Sequence, residues 1–133
     1  MNTSNNHKNS IQITSSYYII ILINIIMFGF FSNLMGQNNT EALQSVIKEG
    51  AFLVDVRTPM EFSEGSVKGA VNIPLDQVSF QLSKFKNKKH IVVFCRSGAR
   101  SGQAKSILEQ SGFSNITNGG TWQQVNEAVL TAK

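Results

Sequence analysis

Residues 95–101 read Cys95-Arg96-Ser97-Gly98-Ala99-Arg100-Ser101, and they hold the chain's one cysteine between the apolar run Ile91-Val92-Val93-Phe94 and a stretch of helical spacing. A cysteine at the end of a strand and just before a helix faces unpaired backbone N–H groups and the positive end of the helix dipole. Both favour the thiolate, the reactive form of cysteine, and Arg96 and Arg100 add positive charge beside it. Gly98 lets the backbone fold tightly, so that successive amides point inward and cradle an anion or an anionic sulfur. The chemistry such a loop offers is nucleophilic attack by Cys95. A free cysteine more commonly packs as a small core hydrophobe. The polar Arg-Ser-Gly-Ala-Arg that follows is unsuited to a core, which favours the reactive reading.

The other polar residues narrow that chemistry. His7 lies far from the loop in sequence, and His90 starts the strand that Cys95 ends, so neither suits a Cys-His hydrolase, whose base must reach the nucleophile. One cysteine excludes an intrachain disulfide and a multi-cysteine zinc or iron-sulfur site, and no cofactor or metal is expected. Asp55, Arg57, Glu61 and Glu64 cluster near a strand end, where an ion-pair network fixing a short helix is a simpler reading than catalysis. The chain has 133 residues, 12 Lys+Arg against 8 Asp+Glu, a net charge of +4 and 41% hydrophobic residues, which bounds it to one small folded domain. Nucleic-acid binding calls for a dense basic stripe; Lys84, Lys86, Lys88 and Lys89 fit a solvated connection instead.

The elements that position the loop follow from pattern. Thr40 caps a helix through Leu43, Val46 and Ile47, and Gly50 stands where helices stop. Phe52–Val56 is a strand buried on both faces. Thr58-Pro59-Met60-Glu61 is a capping box with proline at the first helical position, so a short helix follows directly. Ala70–Ile73 is a second short strand, a helical stretch covers Val78–Phe85, and Ile91–Phe94 is the strongest strand. After the loop, Ala104, Ile107 and Leu108 recur at helical spacing up to Gly112. Phe113–Thr117 is then strand-like and Thr121–Ala132 helix-like, with Gly119, Gly120 and Trp122 as a turn and aromatic anchor. Strands alternating with helices predict an α/β fold with a parallel sheet covered on both faces, whose chemistry sits at the carboxyl ends of its strands.

The first 36 residues differ from the rest. Between Tyr17 and Phe31 only Asn24 and Gly29 are not apolar, and a polar stretch with His7 and Lys8 precedes them. That run is short for a membrane span, which takes about 20 apolar residues, and suits the core of an export signal. Gly36 ends a polar exit segment, which predicts cleavage before Gln37, a domain over 37–133, and a periplasmic or extracellular location. The alternative is an uncleaved membrane anchor over residues 17–35; in either case the N-terminal segment contacts the membrane.

Taken together, Asp55-Val56-Arg57-Thr58-Pro59, Glu61-Phe62, Gly65, Gly69-Ala70, Asn72-Ile73-Pro74, Cys95 to Ser101, Gly112-Phe113 and Gly119-Gly120 resemble a single-domain rhodanese. The resemblance implies about five mostly parallel strands flanked by helices, and a sulfurtransferase in which Cys95 becomes a persulfide. Its donor would be a small sulfur-containing anion such as thiosulfate, and its acceptor cyanide, a thiol or a partner protein's cysteine. Arg96 and Arg100 would attract the donor, or Arg100 would turn back to brace the loop. Two other readings use the same cradle: a module that carries sulfur without turnover, and a phosphatase or arsenate reductase-like enzyme. The latter families have Cys-x5-Arg, whereas Cys95 and Arg100 are spaced Cys-x4-Arg. Ser66 stands where many rhodaneses have histidine, and Trp122 follows the glycine pair unusually closely.

Overall fold

The structure, a computed structural model, describes the backbone of residues 6–132 and the side chains of residues 15–27 and 39–132. The chain divides into two units, Met1–Asn39 and Thr40–Lys133. Helix α1 runs over Asn6–Lys48. Its apolar side chains from Tyr17 to Met27 are exposed. Among the described residues no helix is long and apolar enough to cross a membrane. The polar stretch with His7 and Lys8, the end of the 17–35 run, and the side chains at the Gly36–Gln37 cleavage position lie outside the described side chains.

In the second unit the order is β1 (Phe52–Asp55), α2 (Pro59–Ser63), β2 (Val71–Asn72), 3₁₀ turns at Leu75–Phe80 and Leu82–Phe85, β3 (Ile91–Cys95), α3 (Ala99–Gln110), β4 (Ile116–Thr121) and α4 (Trp122–Thr131). Four parallel strands pair in the order β2-β1-β3-β4. The chain leaves β1 for β2 on one side and returns to β3 on the other. The strand order therefore reverses between β1 and β3, where such sheets open a crevice at their carboxyl ends.

Alternation along β3 assigns its side chains to two cores. Ile91, Val93 and Cys95 face one side with Val54, Val56, Ala104 and Leu108, under α3 and the 3₁₀ turns. Val92 and Phe94 face the other with Leu43, Val125 and Ala128, under α4 and the end of α1. Both faces of β3 are covered, which is why it reads as an unbroken apolar run.

Helix ends follow their sequence signals closely. Gly50, at φ 82°, ends α1 with its N–H on the Ile47 carbonyl and the Ala51 N–H on Val46. Gly112, at φ 97°, ends α3 in the same way, with the Gly112 N–H on Glu109 and the Phe113 N–H on Leu108. These paired bonds satisfy the last carbonyls of each helix, and Phe113 packs against the core that holds Leu108. The capping box of α2 is formed in both directions between Thr58 and Glu61.

Some expectations change. Thr40 does not start a helix; it lies inside α1, because the polar residues before it do not interrupt the helix. The Val78–Phe85 stretch is two 3₁₀ turns rather than one α-helix. Among the described residues the sheet has four strands, near the five or so that the resemblance implied, and the segment ahead of Thr40 is helical. Gly119 and Gly120 belong to β4 rather than to a turn, and the register slips there: Val93 pairs with Asn118 but Phe94 with Gly120. Gly119 has no room for a side chain, since a Cβ would sit 2.6 Å from Val125 Cγ2 and 2.9 Å from Val92 Cγ1. The slip lets β4 approach the loop after β3.

Candidate active site

Cys95 ends β3 with no exposed surface, on the face covered by α3. The chain then turns through Arg96, Ser97 and Gly98 into α3. Gly98 takes φ 89°, a left-handed conformation that glycine adopts without steric cost. Its α-carbon also faces β4, where a Cβ would lie 3.4 Å from Gly120 Cα. In this geometry the Gly98 N–H donates to Cys95 Sγ at 3.1 Å. Ser101 Oγ lies 3.4 Å from the same sulfur and is itself fully buried.

Two opposed influences act on the thiol. Burial is the largest and pushes its pKa up; against it stand the Ser101 hydroxyl and the backbone N–H groups of Ser101, Ser97 and Gly98, all favouring the anion. The donors together win, so Cys95 is held below an ordinary thiol. The Ser101 hydroxyl is the largest of the influences that favour the anion, ahead of the loop amides.

The two arginines separate. Arg100 Nη1 and Nη2 donate to Glu61 Oε2 and Oε1 at 2.8 and 3.0 Å. Glu61 Oε2 also accepts the Thr58 N–H at 2.9 Å, so one carboxylate caps α2 and ties it to the first turn of α3. The Arg100 hydrogen bonds, and then the Thr58 N–H, hold the Glu61 carboxyl well below the usual carboxylate range. Arg100 is thus committed to Glu61 of α2. Arg96 is exposed, and among the described residues no side chain pairs with it. Ala99, also exposed, donates its N–H to Ser97 Oγ at 3.4 Å.

Asp55 and Arg57 form a buried network across the sheet from the sulfur. Arg57 Nε and Nη2 donate to both Asp55 oxygens at 2.7–3.0 Å, and its Nη2 also reaches the Gly65 carbonyl at 2.7 Å. Ser66 Oγ donates to Asp55 Oδ2 at 2.7 Å, and the guanidinium lies 5.3 Å from the centre of the Trp122 ring. Ser66 and Trp122, the two departures from the rhodanese pattern, thus both support this structural pair. Glu64 is exposed and outside it. His90 pairs with Glu49 at 2.9 Å, at the opposite end of β3 from Cys95. Among the described residues there is no cluster of metal-ligating side chains.

Asn118 was not legible in the sequence. From β4, its Nδ2 donates to the Gly98 carbonyl at 3.1 Å, and its Oδ1 accepts from the Gly120 N–H at 3.0 Å and from Ser101 Oγ at 2.7 Å. It joins the loop to the neighbouring strand at the site of the register slip. No local pattern marks such a residue, because its partners in the loop and α3, Gly98 and Ser101, lie 20 and 17 positions away.

Residues 38–121 match the model of the Rhodanese-like domain family. The chain belongs to that family. The rhodanese domain is 37% identical over 70 residues to a sulfurtransferase of Allochromatium vinosum, covering 53% of this chain and 65% of the relative. It is 38% identical over 69 residues to the thiosulfate sulfurtransferase PspE of Escherichia coli, covering 50% of this chain and 66% of the relative. The chain therefore spans just under two thirds of the length of these two relatives. A solved structure, a rhodanese with anions from Escherichia coli, superposes with a TM-score of 0.52 at 34% identity, covering 56% of this chain and 91% of that one. The parallel sheet flanked by helices is thus the rhodanese fold, and the Cys95 loop occupies its strand-to-helix crossing.

Proposed function

We propose that the protein is a sulfurtransferase that carries a sulfane sulfur on Cys95. The observation that supports it most directly is the Cys95 sulfur, at the carboxyl end of β3, receiving the Gly98 N–H at 3.1 Å, with its pKa lowered by the Ser101 hydroxyl and the loop amides. Relatives named sulfurtransferase and thiosulfate sulfurtransferase support the same reading. The thiolate attacks the outer sulfur of thiosulfate; a Cys95 Sγ–S bond forms, and sulfite leaves with the electron pair of the broken S–S bond. Cyanide or a thiolate then attacks the outer sulfur, and Cys95 leaves as the thiolate. Attack by the thiolate needs no general base, and the Ser101 hydroxyl and the loop amides favour that form. Exposed Arg96 draws in the anionic donor, while the backbone amides stabilise the charge on sulfur. Arg100, engaged by Glu61, leaves the cradle lined by amides, which suits a sulfur atom better than a phosphate that needs side-chain charge. The acceptor is a small thiophile or a partner protein's cysteine.

Thiosulfate alone should add the mass of one sulfur to the chain, and thiosulfate plus cyanide should yield thiocyanate; Cys95→Ser should abolish both. A persulfide that no acceptor discharges would indicate a sulfur-carrying module without turnover, and hydrolysis of phosphate or arsenate esters would indicate the phosphatase-like alternative.

We further propose that residues 1–36 direct export and are removed before Gln37, releasing the domain into the periplasm or the extracellular space. An exposed helix that is apolar on all sides supports this reading, because such a surface needs an apolar environment. So does the boundary between units at Asn39 and Thr40, just beyond the expected cut. Intact mass of the exported protein tests it: a chain beginning at Gln37 is expected, and full-length protein in the membrane fraction would indicate the anchor over residues 17–35.

A further inference from the structure

Ser101 carries one hydroxyl hydrogen and has two acceptors for it. Asn118 Oδ1 lies 2.7 Å from Ser101 Oγ, and Cys95 Sγ lies 3.4 Å away. The orientation of the Asn118 amide is fixed independently, because Nδ2 is committed to the Gly98 carbonyl and Oδ1 to the Gly120 N–H. Its oxygen therefore faces Ser101 as an acceptor. While Ser101 gives its hydrogen to Asn118, the Ser101 oxygen can only accept from Cys95, which requires the protonated thiol. An ionised sulfur reverses the demand.

We infer that Ser101 and Asn118 form a hydroxyl switch for the Cys95 sulfur: the Ser101 hydrogen rests on Asn118 Oδ1 while Sγ carries a proton, and turns to Sγ when Sγ is ionised. The turn costs little, because Asn118 Oδ1 keeps the Gly120 N–H and no polar atom loses its last partner. Asn118 is thus a positioning residue that competes for the hydrogen the sulfur anion needs. If Cys95 carries sulfur as proposed above, the turned hydroxyl stabilises it at the moment the acceptor removes the outer sulfur and Cys95 leaves as the thiolate.

Charges around the sulfur are few. Arg100 on α3 feels a charge on Cys95 and is itself paired with Glu61 of α2. Arg96 stands exposed next to it in the loop, Asp55 at the end of β1 is paired with Arg57 just beyond it, and β4 has no ionisable side chain. The hydroxyl is therefore a principal local variable.

The test is a pH titration of the Cys95 thiolate in the full chain, by its ultraviolet absorbance and by the rate of alkylation with iodoacetamide, with no sulfur donor present. Ser101→Ala should raise the midpoint by about one to two pH units, the worth of one hydrogen bond to a charged group. Ser101→Thr, which keeps the hydroxyl, should restore it. Asn118→Leu should lower the midpoint, and should lose that effect in the Ser101→Ala background. An unmoved midpoint in Ser101→Ala overturns the switch, as does an Asn118→Leu shift that is upward or equal in both backgrounds. Should Asn118→Leu fail to fold, the Ala and Thr variants of Ser101 decide alone. Thiocyanate production is measured separately, so loss of the sulfurtransferase reading and loss of the switch give different results.

Discussion

The two arginines of the loop show how one residue type is put to different uses four positions apart. Arg100 is held by two hydrogen bonds to Glu61, whereas Arg96 projects from the loop with no side-chain partner among the described residues. Arg96→Ala should therefore raise KM for thiosulfate about twofold to fivefold and leave stability unchanged, the range of an exposed charge pair. The effect should fade as ionic strength rises, because an exposed charge is screened beyond about 8–10 Å in ordinary salt. Steady-state kinetics at low and high salt check this; a fall in kcat with KM unchanged would place Arg96 at the reacting atoms instead. The contiguous half of this site was readable from the chain alone, because a strand, a cysteine, a glycine and a helix in succession specify their own geometry. Asn118 was not, since its position beside Ser101 depends on the pairing of β3 with β4.

Among the elements, α2 has five residues and fully buries none of them, Glu61 and Phe62 being half-buried, so packing alone holds it weakly. It is held by chemistry at Glu61, which closes the capping box on Thr58 and grips Arg100 at the start of α3. Glu61→Gln keeps an acceptor for the cap and removes the charge, so it should cost about 0.5–1 kcal/mol, typical of a partly exposed ion pair. The pH dependence has a definite sign. Arg100 holds the folded carboxyl below its ordinary value, so its stabilisation is complete above the ordinary carboxylate pKa and is lost as pH falls below it. In urea unfolding, the gap between the native chain and Glu61→Gln should be open at pH near neutrality and should narrow in acid. A constant gap would mean that the glutamine disturbs the cap rather than the pair. The capping box and the glycine stops were legible because each lies within a few residues of sequence. The start of α1 and the bounds of β4 were not: a polar run does not by itself end a helix, and Asn118-Gly119-Gly120 has little strand propensity and joins β4 only through its pairing with β3.

At the scale of the whole molecule, sequence periodicity gave the α/β class and both covered faces, but not the order β2-β1-β3-β4, which depends on contacts between distant segments. That order sets the Cys95 loop and the α2 brace side by side at the point where the sheet reverses direction. It also leaves one face of the sheet dependent on the end of α1. Leu43 is 7% exposed there, and Val46 and Ile47 pack against the same core with Val92, Phe94 and Val125. The boundary that matters for stability is consequently not the expected cleavage position but the next turn of helix. A chain beginning at Gln37 should unfold cooperatively in urea, because every residue of both cores is retained. A chain beginning at Gly50 loses Leu43, Val46 and Ile47. Truncating one buried leucine to alanine costs about 2–5 kcal/mol, so losing all three side chains should remove much of the 5–15 kcal/mol that holds a domain together. The shorter chain should therefore show a much lower urea midpoint or no cooperative transition at all. Equal midpoints for the two chains would mean that α4 alone covers this face, and that the last turns of α1 serve only to connect the N-terminal segment to the domain.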